Sequence, residues 1–576
     1  MGTETLPSSR HRYAFQSWLL DLASLTLLLG IFYAFWLGHH PLFTPDEGRY
    51  SEVAREMVAT GDYITPRLNG VAFLDKPVLY YWLQASAIRL FGLSEWALRL
   101  WPALLGILGC LGVFATCRVL FNRRTAWLAA ILLATSPLYF GGAHYANLDL
   151  EVAVLISLTL CLLITGFKQP KGRTRSRLLL LAWPMAALAF LTKGMIALMF
   201  PSVIAGLWLI STGQWRTLRD VPFGLGLLLF AAIVLPWYAL VEQANPGFLH
   251  FFFVTQQVSR FLAHGDFNNQ SPLWFYLPIV LAGFLPWSLF LVGAIRQTLR
   301  ERKGAADGFF LLWFVVVLVF FSIPKSKTIG YILPALPPLA ILVARYFDRQ
   351  WQTPLRSHLL PILLFLVTVA GILPVVAFAT WQQPHYHHAL WPWLATAAAL
   401  LSSIGILLLL AVLRGATLAT GTRLLAVSGI IFCLVFLGSA KVINRDSVKP
   451  IALAIKPILH PEDEVTTWYR YYQDLPIYLQ RRITIVHNWQ ATDIPLHDNW
   501  VRELWYGMPF QETKDWLISE AAFWERWRGS HRLVVLLDRK RLSEFAEKSQ
   551  GTLHVLGEDS DIAWVSNRAT NTPPLL

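Results

Sequence analysis

The stretch Thr44-Pro45-Asp46-Glu47-Gly48-Arg49-Tyr50-Ser51-Glu52-Val53-Ala54-Arg55-Glu56-Met57 sets acids and bases directly behind a long apolar run. Other polar residues stand where apolar runs break: the Asp75-Lys76-Pro77 turn, Asn147, Asp149 and Glu151, Lys193, Arg260, and Lys325-Ser326-Lys327 ahead of Tyr331. One carboxylate such as Asp46, set among several cations, suits a displacement whose leaving group is the phosphate of a membrane lipid. Lys76, Lys327, Arg49 or Arg260 would stabilise that phosphate through charge-assisted hydrogen bonds. Asp46 would act as a base or orient the acceptor. An inverting displacement needs one such group, unlike the two-carboxylate arrangement of glycosidases. His250 and His264 form no pair with metal-ligand spacing on one helical face, so spacing alone supports no metal. No phosphate-binding glycine loop is present, which argues against a nucleotide cofactor.

Each of these residues also has a plainer reading. Thr44-x-x-Glu47 with Pro45 between has the form of a capping box, with Thr44 as N-cap, Pro45 as first helical residue and Glu47 as reciprocal cap. Acidic residues are favoured at helix N-termini by the helix dipole alone, which accounts for Asp46 and Glu47 without chemistry. Tyr50, Val53, Ala54, Met57 and Val58 follow at helical spacing as one apolar stripe, with Arg49, Glu52, Arg55 and Glu56 on the other faces. That pattern predicts a helix lying along the outer membrane surface. A second segment, Asn69 to Trp82, places an aromatic-rich amphipathic helix after the Asp75-Lys76-Pro77 turn, with Tyr80, Tyr81 and Trp82 of the type found at a headgroup boundary. Lys76, Lys193 and Lys327 could simply snorkel to the interface. Basic residues in short outer loops nevertheless run against the usual topological bias, and they call for an anionic partner such as a lipid phosphate.

The elements that must hold these residues are membrane helices. Of 576 residues, 55% are apolar and 14% charged, and the mean hydropathy is +0.48, which excludes a string of soluble domains. Apolar runs recur near 17–38, 95–117, 125–141, 150–167, 178–192, 195–212, 221–241, 272–295, 308–323, 329–344, 358–379, 391–413 and 423–441. Each approaches the roughly 17–25 residues a spanning helix needs. The run from about Ser17 to Leu37 is too long for a signal peptide and lacks a small-residue cleavage pattern, so it reads as a retained first span. The net charge of +13 sits in alternate short loops, among them Arg118, Arg123 and Arg124, Lys168 to Arg177, and Arg345, Arg349 and Arg356. This is a topology signal that assigns those loops to the cytoplasm, and it points away from nucleic acid. The four cysteines, Cys110, Cys117, Cys161 and Cys433, all lie in apolar runs and imply no disulfide framework.

The expected fold is therefore a mainly α polytopic membrane protein with about thirteen transmembrane helices, juxtamembrane helices on the outer face, and a small C-terminal α/β domain. Residues 1–441 would form the membrane domain, with outer loops at 39–94, 142–149, 242–271 and 324–328. Residues 442–576 change character: strand-like Glu464 to Tyr469 and Arg532 to Leu537 alternate with helical stretches at about 511–528 and 539–549.

The pattern Thr-Pro-Asp-Glu-Gly-Arg-Tyr (44–50), the segment Glu-Met-Val-Ala-Thr-Gly-Asp-Tyr-Ile-Thr-Pro (56–66), Leu-Asn-Gly-Val (68–71) and Asp-Lys-Pro (75–77) resembles the aminoarabinose transferases that modify lipid A. These are protein-mannosyltransferase-like members of the GT-C glycosyltransferases. Asn-Leu-Asp (147–149), Phe-Phe-Phe-Val (251–254) with Arg260-Phe261, Pro-Leu-Trp-Phe-Tyr-Leu-Pro (272–278), and Ser326-Lys327 with Tyr331-Ile332-Leu333-Pro334 extend the similarity from about Leu42 to Pro338. Beyond that point the last spans and the tail agree in layout only.

The resemblance implies thirteen spans, an outer α/β domain, and sugar transfer from undecaprenyl phosphate to an outer-face acceptor at a bacterial inner membrane. It marks Asp46, Glu47 and Asp149 as candidate catalytic carboxylates, with Lys76, Arg49, Lys327, Tyr331 and Arg260 around the donor phosphate. The best-matching sugar is 4-amino-4-deoxy-arabinose and the best-matching acceptor lipid A. Another glycolipid, glycan or protein hydroxyl is the alternative acceptor. Two departures stand out. The aminoarabinose enzymes usually show Glu-Lys-Pro and a Glu-His-Ile stretch whose Glu and His ligate a metal, whereas this chain has Asp75 and Gln256-Gln257-Val258. Of a zinc or magnesium site, only Asp75 would remain as a ligand, with Gln257 at the matching His position. A transporter or flippase would need ionisable residues mid-span and broken helices in paired halves. Few charges lie mid-span here.

Overall fold

The computed structural model describes residues 9–259, 270–300, 306–381, 384–444 and 446–569. The chain forms two compact units, the first from Met1–His39, Arg99–Val234 and Ser271–Ile443, the second from His40–Leu98, Leu235–Gln270 and Asn444–Leu576. The segments 40–98 and 235–270 thus group with the C-terminal segment.

Apolar helices dominate. Among the described residues eight are long and apolar enough to cross a membrane: Gln16–Ala34, Glu95–Leu120, Leu148–Lys168, Arg173–Lys193, Phe223–Ala244, Ile329–Arg349, Leu390–Leu413 and Leu418–Ile443. Two bent pairs bring the number to ten. These are Arg123–Ala134 with Pro137–Ala143, bent by 68°, and Tyr276–Gly283 with Trp287–Leu299, bent by 107°. Pro137 and Pro286 stand at the breaks, where a missing N–H and a clash with the preceding turn interrupt the helix. Shorter apolar helices, Ile196–Ser211, Ala306–Ser322 and Leu355–Gly371, coincide with the remaining apolar stretches. Among the described residues, helix length and composition alone thus give eight to ten spans, and the expected number of thirteen is not tested by them.

Burial sorts the helices of the first unit. The Leu148–Lys168 helix is 83% buried and runs through the bundle, whereas Gln16–Ala34 is 22% buried and presents most of its surface outward. Arginines that mark topology also neutralise buried acids. Asp21, 2% exposed, receives Arg123 Nε at 2.9 Å and its terminal nitrogen at 2.6 Å. Asp307, also 2% exposed, pairs with Arg345 at 3.1 Å and Arg349 at 3.0 Å. A buried carboxylate left without such a partner would cost several kcal/mol.

The second unit contains a two-stranded hairpin, β1 (Arg67–Leu68) with β2 (Val71–Ala72), and a six-stranded sheet. The sheet strands are β3 (Glu464–Trp468), β4 (Thr484–Val486), β5 (Leu517–Ile518), β6 (Leu533–Asp538), β7 (His554–Glu558) and β8 (Ile562–Ser566). Their order is β5-β4-β3-β6-β8-β7. The first four run parallel and the last two are antiparallel, with Glu464 opposite Leu533 across the central pair. β6 feeds both faces: Val534 and Leu536 join Val448, Leu475 and Ile483, while Leu533, Val535 and Leu537 join Trp468, Phe523 and Phe545. A strand buried on both faces reads as a continuous apolar run, which is why β6, Leu533 to Leu537, is visible in the sequence. The expected helices at 511–528 and 539–549 appear as Glu520–Trp527 and Leu542–Lys548.

Candidate functional site

The helix carrying the charged cluster spans Asp46–Thr60 and ends at Gly61, whose φ of 74° closes the C-terminus. It starts at Asp46, and no side-chain cap comes from Thr44. Half of the expected capping box survives, shifted by one residue: Glu47 Oε2 accepts from the Phe43 backbone N–H at 2.8 Å. Glu47 is fully buried, and this bond caps the backbone at the start of the helix. The helix does not float on a membrane with one wet face. Glu52 and Glu56 are as buried as Val53, Ala54 and Met57, because the helix packs against Leu79–Phe91, β1 and the Leu475–Leu479 helix. A Cβ on Gly48 would lie 2.9 Å from the backbone of Gln473 and Asp474, so only glycine permits this approach. Tyr80 and Tyr81 are likewise buried in protein and are not at a headgroup boundary.

At the start of this helix Arg49 binds two carboxylates. One terminal nitrogen pairs with Asp46 and the other with Glu503, on the Trp500–Gly507 helix. The guanidinium lies 5.1 Å from the Tyr50 ring centroid, a cation–π contact. Burial opposes its charge, but Glu503, Tyr50 and Asp46 hold its pKa well above the ordinary value. Burial raises the Glu503 carboxyl, with Arg49 pulling the other way. Asp75 acts electrostatically on both Arg49 and Glu503, which sets the Asp75-Lys76 turn beside the same cluster. Lys76 Nζ donates to the Asp75 carbonyl at 3.2 Å. Asp46, Arg49, Asp75 and Lys76 are thus brought together, and Glu503 and Tyr81 join them. The Tyr81 hydroxyl is buried with no hydrogen-bond partner among the described residues.

Behind this cluster lies a buried acidic layer. Glu52 takes two hydrogen bonds of 2.7 Å from Arg55, and Glu56 Oε1 accepts from Gly70 N at 2.6 Å. Burial and the neighbouring Glu52 charge push the Glu56 carboxyl up to about 8. The β1–β2 turn is fixed from the other side. Asn69, at φ 51°, donates to the Ile483 carbonyl at 2.7 Å and accepts from its N–H at 2.8 Å. Asn-Gly between paired residues is a strong hairpin signal that the sequence reading left unused.

The first unit carries a second cluster. Asn147 caps the Leu148–Lys168 helix by accepting from Asp149 N at 2.8 Å. Asp149, 7% exposed, forms an ion pair with Lys193. The Lys193 ammonium stands 4.2 Å from the Tyr331 ring centroid. Gly330 presses its backbone on the Asp149 carboxylate, and a Cβ there would lie 2.9 Å from Cγ. Lys193, readable in sequence as a flanking lysine, is therefore the partner of Asp149. Glu151 Oε1 accepts from Thr192 at 3.0 Å. Lys327, 4% exposed, donates to the carbonyls of Ser271 at 2.9 Å and Pro324 at 2.5 Å. Burial lowers its pKa. Among the described residues no carboxylate pairs with it, which leaves a buried positive charge able to receive an anion.

Arg260 and His264 lie outside the described residues, as does the Gln257 side chain. Gln256 Nε2 donates to Asp75 Oδ1 at 3.1 Å. Among the described residues no three His, Cys, Asp or Glu side chains gather as a metal site. Asp75 is thus the expected metal ligand that lies among the described residues, and its side-chain partner there is the neutral Gln256 amide.

Residues 75–239 match the family described as dolichyl-phosphate-mannose-protein mannosyltransferase. An undecaprenyl phosphate-alpha-4-amino-4-deoxy-L-arabinose arabinosyl transferase of Pseudomonas fluorescens is 34% identical over 380 residues, covering 65% of this chain and 64% of the relative. Its counterpart in Edwardsiella ictaluri is 35% identical over 361 residues, covering 62% and 65%. The chain thus spans a little under two thirds of the length of these curated relatives. The Sodalis glossinidius relative of the same description is 31% identical over 530 residues, covering 89% of this chain and 92% of the relative. Among solved structures, ArnT from Cupriavidus metallidurans bound to undecaprenyl phosphate is 26% identical, with a TM-score of 0.84 over 97% of this chain and 99% of that one. The apo state of that protein gives 0.80 over 96% and 98%. A 31% identical relative matched almost end to end, with the same helical and α/β layout in a solved structure, decides the assignment: this chain belongs to the family of undecaprenyl phosphate-alpha-4-amino-4-deoxy-L-arabinose arabinosyl transferases.

Proposed function

We propose that the protein is a glycosyltransferase moving 4-amino-4-deoxy-L-arabinose from undecaprenyl phosphate to a phosphate of lipid A, on the periplasmic face of a bacterial inner membrane. The observation that carries this reading is the whole-chain similarity to an ArnT that binds undecaprenyl phosphate. In the reaction a lipid A phosphate oxygen attacks the anomeric carbon from the face opposite the donor phosphate. The bond from that carbon to the donor phosphate oxygen breaks, its electron pair leaves on undecaprenyl phosphate, and the configuration inverts. The acceptor is already anionic, so Asp46 would orient it or the sugar, accepting a hydrogen bond from the 4-amino group. A hydroxyl acceptor would instead require Asp46 as a base.

Charge stabilisation of the leaving phosphate falls to the cations. Lys327 is the best prepared, because its ammonium is desolvated and held by two carbonyls with no carboxylate to displace. Arg49 and Lys193 already hold carboxylates, so a phosphate on either would exchange partners. Lys76, Arg260 and Tyr331 complete the proposed donor set, and Asp149 would position Lys193. The Asp75–Gln256 contact is the one observation that favours a different sugar or acceptor within the same reaction class. The test is transfer by the purified full-length protein with the aminoarabinose donor and separate acceptors, read by mass spectrometry. Modified lipid A supports the proposal. Modification of another glycolipid alone would replace the acceptor, and no transfer to any acceptor would overturn the reading.

A further inference from the structure

A cavity of about 910 Å³ opens in the first unit among the Arg123–Ala134 helix, the end of the Leu336–Arg349 helix and the Leu418–Ile443 helix. Its volume falls in the range of roughly 300–1,000 Å³ typical of small-molecule sites. Leu128, Ile131 and Ala426 give it an apolar wall, and Arg123, Arg124 and Arg423 stand along its lining with Trp127 and Trp351. Its charges do not balance. Arg123 is neutralised by Asp21. Arg124 reaches Asp348 at 3.4 Å, but that carboxylate is already held by Asn122 at 2.6 Å and Thr125 at 3.0 Å. Arg124 also stacks 5.3 Å from the Trp351 centroid, which fixes its plane while half of the side chain stays exposed. Arg423 is exposed and has no hydrogen-bond or ion-pair partner among the described residues.

We propose that this groove binds an anionic phospholipid of the surrounding bilayer, its phosphate between Arg423 and Arg124 and an acyl chain along Leu128, Ile131 and Ala426. Guanidinium groups favour phosphate through paired, charge-assisted hydrogen bonds, and tryptophans suit the headgroup boundary. The unmatched Arg423 charge selects a net-anionic headgroup over a zwitterionic one, as basic pockets between membrane helices do. None of these residues belongs to either cluster assigned to transfer, so the inference stands apart from that reading.

The test is binding of phosphatidylglycerol, phosphatidylcholine of the same chains, and inorganic phosphate to the full-length protein, by native mass spectrometry and lipid-dependent thermal shift. Phosphatidylglycerol should bind about tenfold more tightly than phosphatidylcholine, a difference of the size expected from one added ionic contact. Arg423→Gln should remove that preference while leaving the lipid-free melting temperature unchanged, and Ala426→Trp should weaken both lipids by filling the wall. Equal binding of the two lipids, a preference that survives Arg423→Gln, or inorganic phosphate stabilising as much as phosphatidylglycerol would overturn the proposal.

Discussion

Asp46 and Lys327 carry the sharpest consequences at the scale of single residues. Asp46→Asn keeps the size of the side chain and removes the charge that faces Arg49, so transfer should fall by about 100-fold or more while the protein still binds the donor. Turnover and donor binding, measured separately, check this. Lys327→Met leaves a buried apolar chain among carbonyls and should lower turnover by about 100- to 1,000-fold, the loss typical of removing one charge-stabilising donor. Lys327→Arg should restore only part of it, since a planar fork does not fit the two carbonyls that a compact ammonium reaches. Arg49 stood out in the sequence because capping and the apolar stripe leave it unexplained, whereas the helix dipole alone accounts for an acid at Asp46. Glu503 was not, because it lies 454 positions from Arg49 and nothing local marks it. Lys193 looked like a snorkelling lysine, and only the fold shows it against Asp149.

The Asp46–Thr60 helix shows where element-level reading fails. Its 3.6-residue stripe is real, but Glu52 and Glu56 are buried too: Gly70 donates to Glu56, and the Leu475–Leu479 helix, more than 400 residues away, packs on the same helix. The consequence is a pH dependence. With Glu56 raised to about 8 and Asp474 to about 7 by burial, the folded state holds protons that the unfolded chain releases at ordinary carboxyl values. The stability that these two groups contribute should therefore be fully present near pH 4 and be lost as pH rises to about 8. Melting temperature against pH checks this, and Glu56→Gln should flatten the slope. The β1–β2 hairpin is a second case: Asn69→Ala loses both bonds to Ile483 and should destabilise the second unit by about 1–3 kcal/mol. Asn69→Gly, which tolerates the left-handed turn, separates that loss from backbone strain in urea unfolding. Strands β4 and β5, of three and two residues, are too short to show a period and become visible only through their pairing, β4 on β3 and β5 on β4.

At the scale of the molecule, hydropathy located the apolar helices well because a bilayer demands roughly 20 apolar residues per crossing. It said less about how many cross, since bends at Pro137 and Pro286 and the short helix Ile196–Ser211 depend on packing. The grouping of 40–98 and 235–270 with the C-terminal segment was hidden for the same reason, being made of contacts between distant stretches. What the whole chain does is tested most directly in cells. Mass spectrometry of lipid A from cells with and without the gene should show an aminoarabinose-sized addition that depends on the gene and disappears with Asp46→Asn. Lipid A that is identical in all three, with a gene-dependent change in another surface glycan or in none, would contradict the account.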